Sequence, residues 1–242
     1  MFNYIVKKLS YLNHAIMLKT SLYFCSIFLL MFYGCTEGQK PAAITGSDTV
    51  KVTTKNQPEL MKTILFFGNS LTAGYGLEPE ESFPALIQNK IDSLDLPYKV
   101  INAGLSGETT AGGKARISWL LKQKIDVFVL ELGANDGLRG IPVSETTQNL
   151  QSIVEQVKAK YPDVKMVMTG MQVPPNMGGL YATEFGQIFK KIAEKNNMSF
   201  VPFLLDKVGG VSELNQSDGI HPTAKGHIIL AENVWKVLKG IL

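Results

Sequence analysis

Two short runs hold the side chains that could do chemistry. Gly68-Asn69-Ser70-Leu71-Thr72 carries a hydroxyl, and Asp218-Gly219-Ile220-His221-Pro222 carries a carboxylate and an imidazole three residues apart. On one bend such a carboxylate can hydrogen-bond one ring nitrogen and fix the tautomer. The other ring nitrogen is then left as a base for a hydroxyl. Attack on a carbonyl also needs donors for the oxygen that becomes negative. Asn102-Ala103-Gly104-Leu105-Ser106-Gly107-Glu108-Thr109-Thr110 offers accessible backbone N–H groups at its glycines, and Glu131-Leu132-Gly133-Ala134-Asn135-Asp136-Gly137 offers the Asn135 amide. Each run has a plainer reading in isolation. Ser70 could cap a helix, the glycines could serve a tight turn, and Asp136-Gly137 could be only a turn. His227 has no acidic orienter nearby and reads as packing or surface.

The elements between these runs place them together. Residues 63–67, 98–102, 126–130, 165–169 and 199–202 are short apolar runs, most of them near-continuous and rich in β-branched residues, as buried parallel strands are. Longer amphipathic stretches lie between them. Residues 143–160 put Val143, Leu150, Val154 and Val157 on one face. The last helix follows Thr223 as its N-cap, with Ile228, Ala231, Trp235 and Leu238 at helical spacing. Five βα units over 62–242 predict an α/β fold, a doubly wound five-stranded parallel sheet flanked by helices. In such a sheet the site lies at the carboxyl ends of the strands, and every run named above follows a strand. Their convergence on one edge argues for chemistry over four unrelated turns.

Composition narrows the alternatives. The net charge is +3, but residues 1–34 hold Lys7, Lys8 and Lys19 and no acid, leaving 21 basic and 21 acidic residues elsewhere. Nothing in that balance argues for nucleic-acid binding. Two histidines outside the leader, no cysteine cluster and no His-Glu-x-x-His leave no expectation of a metal or other cofactor. Residues 21–33 (SLYFCSIFLLMFY) are thirteen uncharged residues behind Lys19. A helix of that length spans ~20 Å, short of the ~30 Å hydrocarbon core, so it reads as an export signal over 1–34. Met17 would start a tidier signal than Met1. Gly34-Cys35 resembles a bacterial lipobox, which makes Cys35 a candidate for lipidation and for a membrane anchor facing the periplasm or the cell exterior. Residues 35–61 are polar and carry Pro41, Gly46 and Pro58, as a flexible tether would.

FFGNSLTAGYGL (66–77), NAGLSGETTAGG (102–113), ELGANDGLRG (131–140) and DGIHP (218–222) together resemble the GDSL/SGNH hydrolases, in the branch of thioesterase I/lysophospholipase L1 and arylesterases. The resemblance spans essentially all of 62–242 and implies a flavodoxin-like sheet and hydrolysis of small acyl esters or thioesters. It implies Ser70 as nucleophile, His221 as base and Asp218 as its orienter, with the Ser70 and Gly107 N–H groups and the Asn135 amide as oxyanion donors. Asn69 departs from the usual Asp before the serine and removes a charge there. Residues 171–181 carry two prolines, two glycines and apolar side chains. They read as an apolar flap over an acyl chain, with Pro174, Met177, Leu180 and Tyr181 as substrate contacts, or else as a packed connection. Two alternatives stay open: a carbohydrate O-acetyl esterase on the same scaffold, and a non-catalytic acyl- or glycan-binding lipoprotein.

Overall fold

The most apolar runs become the middle of the sheet. The computed structural model describes residues 60–242. Strand β1 (Lys62–Gly68) is followed by a short helix, α1 (Ser70–Ala73), and by α2 (Phe83–Ser93). Then come β2 (Tyr98–Gly104), α3 (Thr110–Leu120), β3 (Val127–Glu131), α4 (Ala134–Leu138) and α5 (Val143–Lys160). Strand β4 (Lys165–Thr169), α6 (Gly179–Lys195), β5 (Ser199–Val201) and α7 (Ala224–Leu238) complete the chain. The leader at 1–34, Cys35 and nearly all of the tether lie outside the described residues. All strand pairs are parallel, in the order β2-β1-β3-β4-β5. Every residue of β3 is buried, whereas β2, at an edge, exposes Lys99 and Asn102. Central strands covered on both faces need unbroken apolar sequence, and edge strands do not. Helices α2 and α7 pack together, and α5 packs against α3 and α6.

Two elements differ instructively from their sequence patterns. Strand β2 runs to Gly104, pairing Gly104 with Gly68; α1 crowds Gly104, and Thr72 of α1 together with Glu131 of β3 crowds Gly68. In α7 the buried stripe is His227, Leu230, Ala231, Val234 and Leu238, while Ile228 is exposed and Trp235 only partly buried. A histidine counted as polar hid the phase of this helix. The His227 ring is almost fully buried, lies near-parallel to Phe83, and its Nδ1 accepts from the Phe83 N–H at 3.0 Å. That N–H opens α2 and has no partner within its own helix. The histidine is therefore part of the core.

Gly104 and His227 each set a measurable cost. A Cβ on Gly104 would lie 2.2 Å from the Ala73 nitrogen and 2.6 Å from its Cα, so Gly104→Ala should destabilise by about 1–3 kcal/mol. Gly186→Ala, inside α6 and facing open space, should stabilise by about 0.5–1 kcal/mol. Thermal midpoints of the two variants check this. Burial, with a smaller contribution from the charge of His221, pushes the pKa of His227 from 6.5 down to about 4. Between those values the unfolded chain binds a proton that the native state excludes, so the stability contributed by His227 should fall as pH drops from 6.5 towards 4. His227→Asn keeps an acceptor but does not titrate. Denaturant midpoints should show this variant gaining stability relative to the parent between pH 7 and pH 5.

Candidate active site

The turn after β1 is built by its own polar groups. Asn69 caps α1: its side-chain oxygen accepts from the Leu71 N–H at 2.9 Å, and Ser70 is the first helical residue. The expected cap and the expected nucleophile are thus adjacent residues. Helix α1 is only four residues long and is held from both sides. Asn102 donates to the Thr72 carbonyl at 2.8 Å from the β2 end, and Glu131 takes Asn69 and Thr72 from the β3 end.

His221 reaches Ser70 from the far end of the chain. Its Nε2 lies 3.0 Å from Ser70 Oγ, and its Nδ1 lies 2.7 Å from Asp218 Oδ2. With Nδ1–H donating to the carboxylate, Nε2 is the acceptor for the serine hydroxyl. Asp218 Oδ1 also accepts the backbone N–H groups of Ile220 and His221 at 2.9 and 3.0 Å. The contacts with His221, backbone and ring, followed by Ile220, hold the Asp218 carboxyl down to about 2, although this side chain is exposed. The loop itself is closed: Asn215 and Pro222 form an antiparallel bridge, and Gln216 Nε2 donates to the carbonyls of Tyr75 and Pro222. The Tyr75 ring lies 4.5 Å from the imidazole, tilted by 42°, so a second side chain limits the ring's freedom.

The other residues expected as oxyanion donors follow the next two strand ends. Neither the Ser70 nor the Gly107 N–H makes a hydrogen bond among the described residues, and Gly107 has φ of +81°, a conformation suited to glycine. The Asn135 amide donates one hydrogen to the Glu108 carbonyl at 2.9 Å and keeps the other. That bond ties the β2 loop to α4. A second tie is Asp136, fully buried and accepting from both the N–H and the hydroxyl of Thr110. Asp136 is therefore a brace, and its sequence context gave only a turn. Arg116 grips the Glu108 carboxylate through Nε and Nη2 at 2.7 and 2.5 Å and lies over the Phe67 ring.

Ser70, Asn135 and His221 face one cavity of about 560 Å³. Gly107 lies outside its lining and is coupled to it through the neighbouring Glu108–Asn135 bond. Of the four residues expected in the flap, only Pro174 lines the cavity. Met177 is packed against the core, Leu180 is 77% exposed, and Tyr181 stacks on Phe185 and donates to the Ile141 carbonyl. The cause is the early start of α6 at Gly179, which winds Leu180 and Tyr181 into a helical turn. The apolar wall comes instead from Leu138 on α4, Met171 and Val173 after β4, Phe203 and Leu205 after β5, and Ile220. Two of these neighbour motif residues, but 203–210 has no periodic signal that could have marked it. Among the described residues no group of three His, Cys, Asp or Glu side chains could hold a metal ion.

Comparison with known proteins places this geometry. The chain is 39% identical over 187 residues to esterase TesA of Pseudomonas aeruginosa, covering 77% of this chain and 92% of that protein. It is 38% identical over 176 residues to an arylesterase of Vibrio mimicus, covering 72% and 87%. A solved structure of the psychrotrophic esterase EstA from Pseudoalteromonas sp., inhibited by monoethylphosphonate, superposes with a TM-score of 0.70 at 35% identity, over 74% of this chain and 97% of that one. Residues 66–229 match the model of the GDSL-like Lipase/Acylhydrolase family, and the chain belongs to that family.

Proposed function

We propose that this protein is a serine acyl hydrolase in which Ser70 is the nucleophile, His221 the general base and Asp218 its orienter. The observation that carries the reading is the unbroken chain from Ser70 Oγ to His221 Nε2 at 3.0 Å and from Nδ1 to Asp218 at 2.7 Å, opening on an apolar cavity. As Ser70 Oγ attacks the carbonyl carbon of an ester or thioester, its proton passes to Nε2. Asp218, kept ionised, stabilises the imidazolium that results. The carbonyl oxygen becomes an oxyanion and takes hydrogen bonds from the Ser70 and Gly107 N–H groups and the Asn135 amide. His221 returns the proton to the leaving alkoxide or thiolate, and the acyl group stays on Ser70. Water, deprotonated by the same nitrogen, then releases the acid and restores the serine.

Similar proteins carry names that fit both leaving groups, among them an arylesterase and the thioesterase 1/protease 1/lysophospholipase L1 of Escherichia coli. A phosphonate is tetrahedral at phosphorus, as an acyl-transfer intermediate is at carbon, and its inhibition of a similar esterase agrees with this chemistry. The mixed lining, with Leu138, Val173, Phe203 and Leu205 beside a few polar groups, suits the hydrocarbon of an acyl chain. We also propose that residues 1–34 export the domain and that Cys35 carries the lipid of a membrane anchor, with 36–61 as the tether. The support for this part is the sequence pattern alone.

A series of p-nitrophenyl esters from acetate to dodecanoate tests the catalytic reading. Medium chains should be hydrolysed faster than acetate, whereas a strict acetyl preference would favour a carbohydrate O-acetyl esterase. Ser70→Ala should abolish turnover on every member, and near-parental rates in that variant would refute the assignment. Asn135→Ala should lower kcat by about 10²–10³-fold. Separately, Cys35→Ser should move the protein from the membrane fraction to the soluble fraction of fractionated cells.

A further inference from the structure

His221 reaches Ser70 from a loop that has little burial to hold it, since residues 217–220 are all exposed. Hydrogen bonds must therefore set the place of the ring. Several of them converge on Gln216, a half-buried residue that the acyl-transfer steps leave without a role. Its N–H donates to the His221 carbonyl at 2.7 Å, and its carbonyl accepts the Gly219 N–H at 2.9 Å. Its side-chain nitrogen donates to the Pro222 carbonyl at 3.0 Å and to the Tyr75 carbonyl at 2.7 Å.

The bond to Tyr75 differs in kind from the others. Those to His221, Gly219 and Pro222 stay inside the loop, as do the bonds of Asp218 to Ile220 and His221. They shape the loop without placing it against the nucleophile. Tyr75 belongs to the nucleophile's side, because its own N–H donates to the Ser70 carbonyl at 3.0 Å. Among the described residues, only the Gln216–Tyr75 bond and the His221–Ser70 contact itself join 214–223 to 69–77 by hydrogen bonding. The seat of the amide is close: Gly76 has φ of +77°, and a Cβ there would lie 2.5 Å from Gln216 Oε1.

We propose that Gln216 is a positioning residue for His221, its amide tying the histidine loop to the Tyr75 carbonyl and so holding the imidazole over Ser70. The proposal rests on Ser70 as nucleophile and His221 as base. The bonds from Tyr75 to Ser70, from Gln216 to Tyr75 and from Gln216 to His221 make a second connection between the two residues. It runs from backbone to backbone, beside the 3.0 Å contact of Oγ with Nε2. That contact is lost during the reaction, because Oγ bonds the acyl carbon and Nε2 carries its proton to the leaving group. A connection that uses neither atom keeps serine and histidine in register while those atoms change partners. Asp218 fixes the tautomer within the loop, so loss of the Gln216 amide should weaken catalysis without abolishing it.

Gln216→Met keeps the length of the side chain and removes both donors, while Gly76→Ala crowds the same amide from the other side. The test compares kcat/KM on the p-nitrophenyl and ethyl esters of one medium-chain acid for the parent, these two variants and Ser70→Ala, with thermal midpoints alongside. Nitrophenolate leaves without a proton, whereas ethoxide needs one from His221. A displaced imidazole is therefore felt once by the first ester and twice by the second. Each variant should lose about 3–10-fold on the p-nitrophenyl ester and about 30–100-fold on the ethyl ester. Equal losses on both esters, or parental values on both, would overturn the positioning role, since a smaller folded fraction lowers both rates alike. If Gln216→Met fails to fold, Gly76→Ala decides by the same ratio, and two unfolded variants overturn the role by assigning Gln216 to stability. Turnover surviving in Ser70→Ala refutes the nucleophile itself. An unchanged ratio in the Gln216 and Gly76 variants, with Ser70→Ala inactive, refutes only the positioning.

Discussion

The site depends on how closely a four-residue helix approaches two strand ends. A Cβ at Gly68 would stand 2.1 Å from Thr72 Oγ1, and one at Gly104 would stand 2.2 Å from the Ala73 nitrogen. Gly68 and Gly104 are partners across β1 and β2, so α1 is wedged over the one place in the sheet where both neighbouring strands lack side chains. The register then does the rest. Strand β1 is flanked by β2 and β3, so the loops with Gly107 and Asn135 leave the sheet on either side of Ser70. Parallel pairing brings the remaining chemistry to the same edge, and His221 arrives there across 151 residues of sequence.

Three ionisable groups near this edge differ because their surroundings differ. Asp218 is exposed and held low by the hydrogen bonds of His221 and Ile220, so it stays an anion. Glu131 is buried and pushed up, and His227 is buried and pushed down. Environment therefore assigns one carboxylate to the histidine and the other to the floor of the turn. The two buried groups also oppose each other in folding. Between about pH 4.5 and 6.5 native Glu131 holds a proton that the unfolded chain releases, and native His227 refuses one that the unfolded chain takes up. Stability contributed by the first falls as pH rises and that by the second falls as pH drops, so the net proton uptake on unfolding is small across this window.

What the sequence made legible was whatever carries a period or a forced residue type. Central strands must be apolar without interruption, so their runs stood out, and the loops after them were found by their glycines, amides and the Asp218–His221 spacing. What stayed hidden depends on partners distant in sequence. Glu131 reads locally as a charge closing a strand, and only its register opposite Gly68 reveals that it is buried. Asp136 reads as a turn because its partner, Thr110, lies 26 residues earlier. His227 misled the phase of α7 because an imidazole satisfied by a backbone N–H packs like an aromatic hydrocarbon. The cavity wall from 203–210 has no repeat at all; Leu180 and Tyr181 were misassigned by one unseen boundary, the start of α6, and Met177 by the 3-10 turn before it, which packs it against the core.

The donor side of the site shows the same economy as the nucleophile side. An oxyanion hole assembled from two loops works only if those loops keep their spacing while charge develops, because a donor displaced by even a fraction of an ångström loses much of its bond. Here the two loops are locked by the side chains of Asn135 itself and of its neighbour Asp136. Asn135 bonds the Glu108 carbonyl beside Gly107, and Asp136 bonds Thr110 two residues further on. The Glu108 side chain is itself clamped by Arg116, whose guanidinium lies over Phe67 on β1. The brace therefore closes back onto the strand that leads into Ser70. Ser70 and the proposed oxyanion donors are thereby linked through contacts that return to one strand.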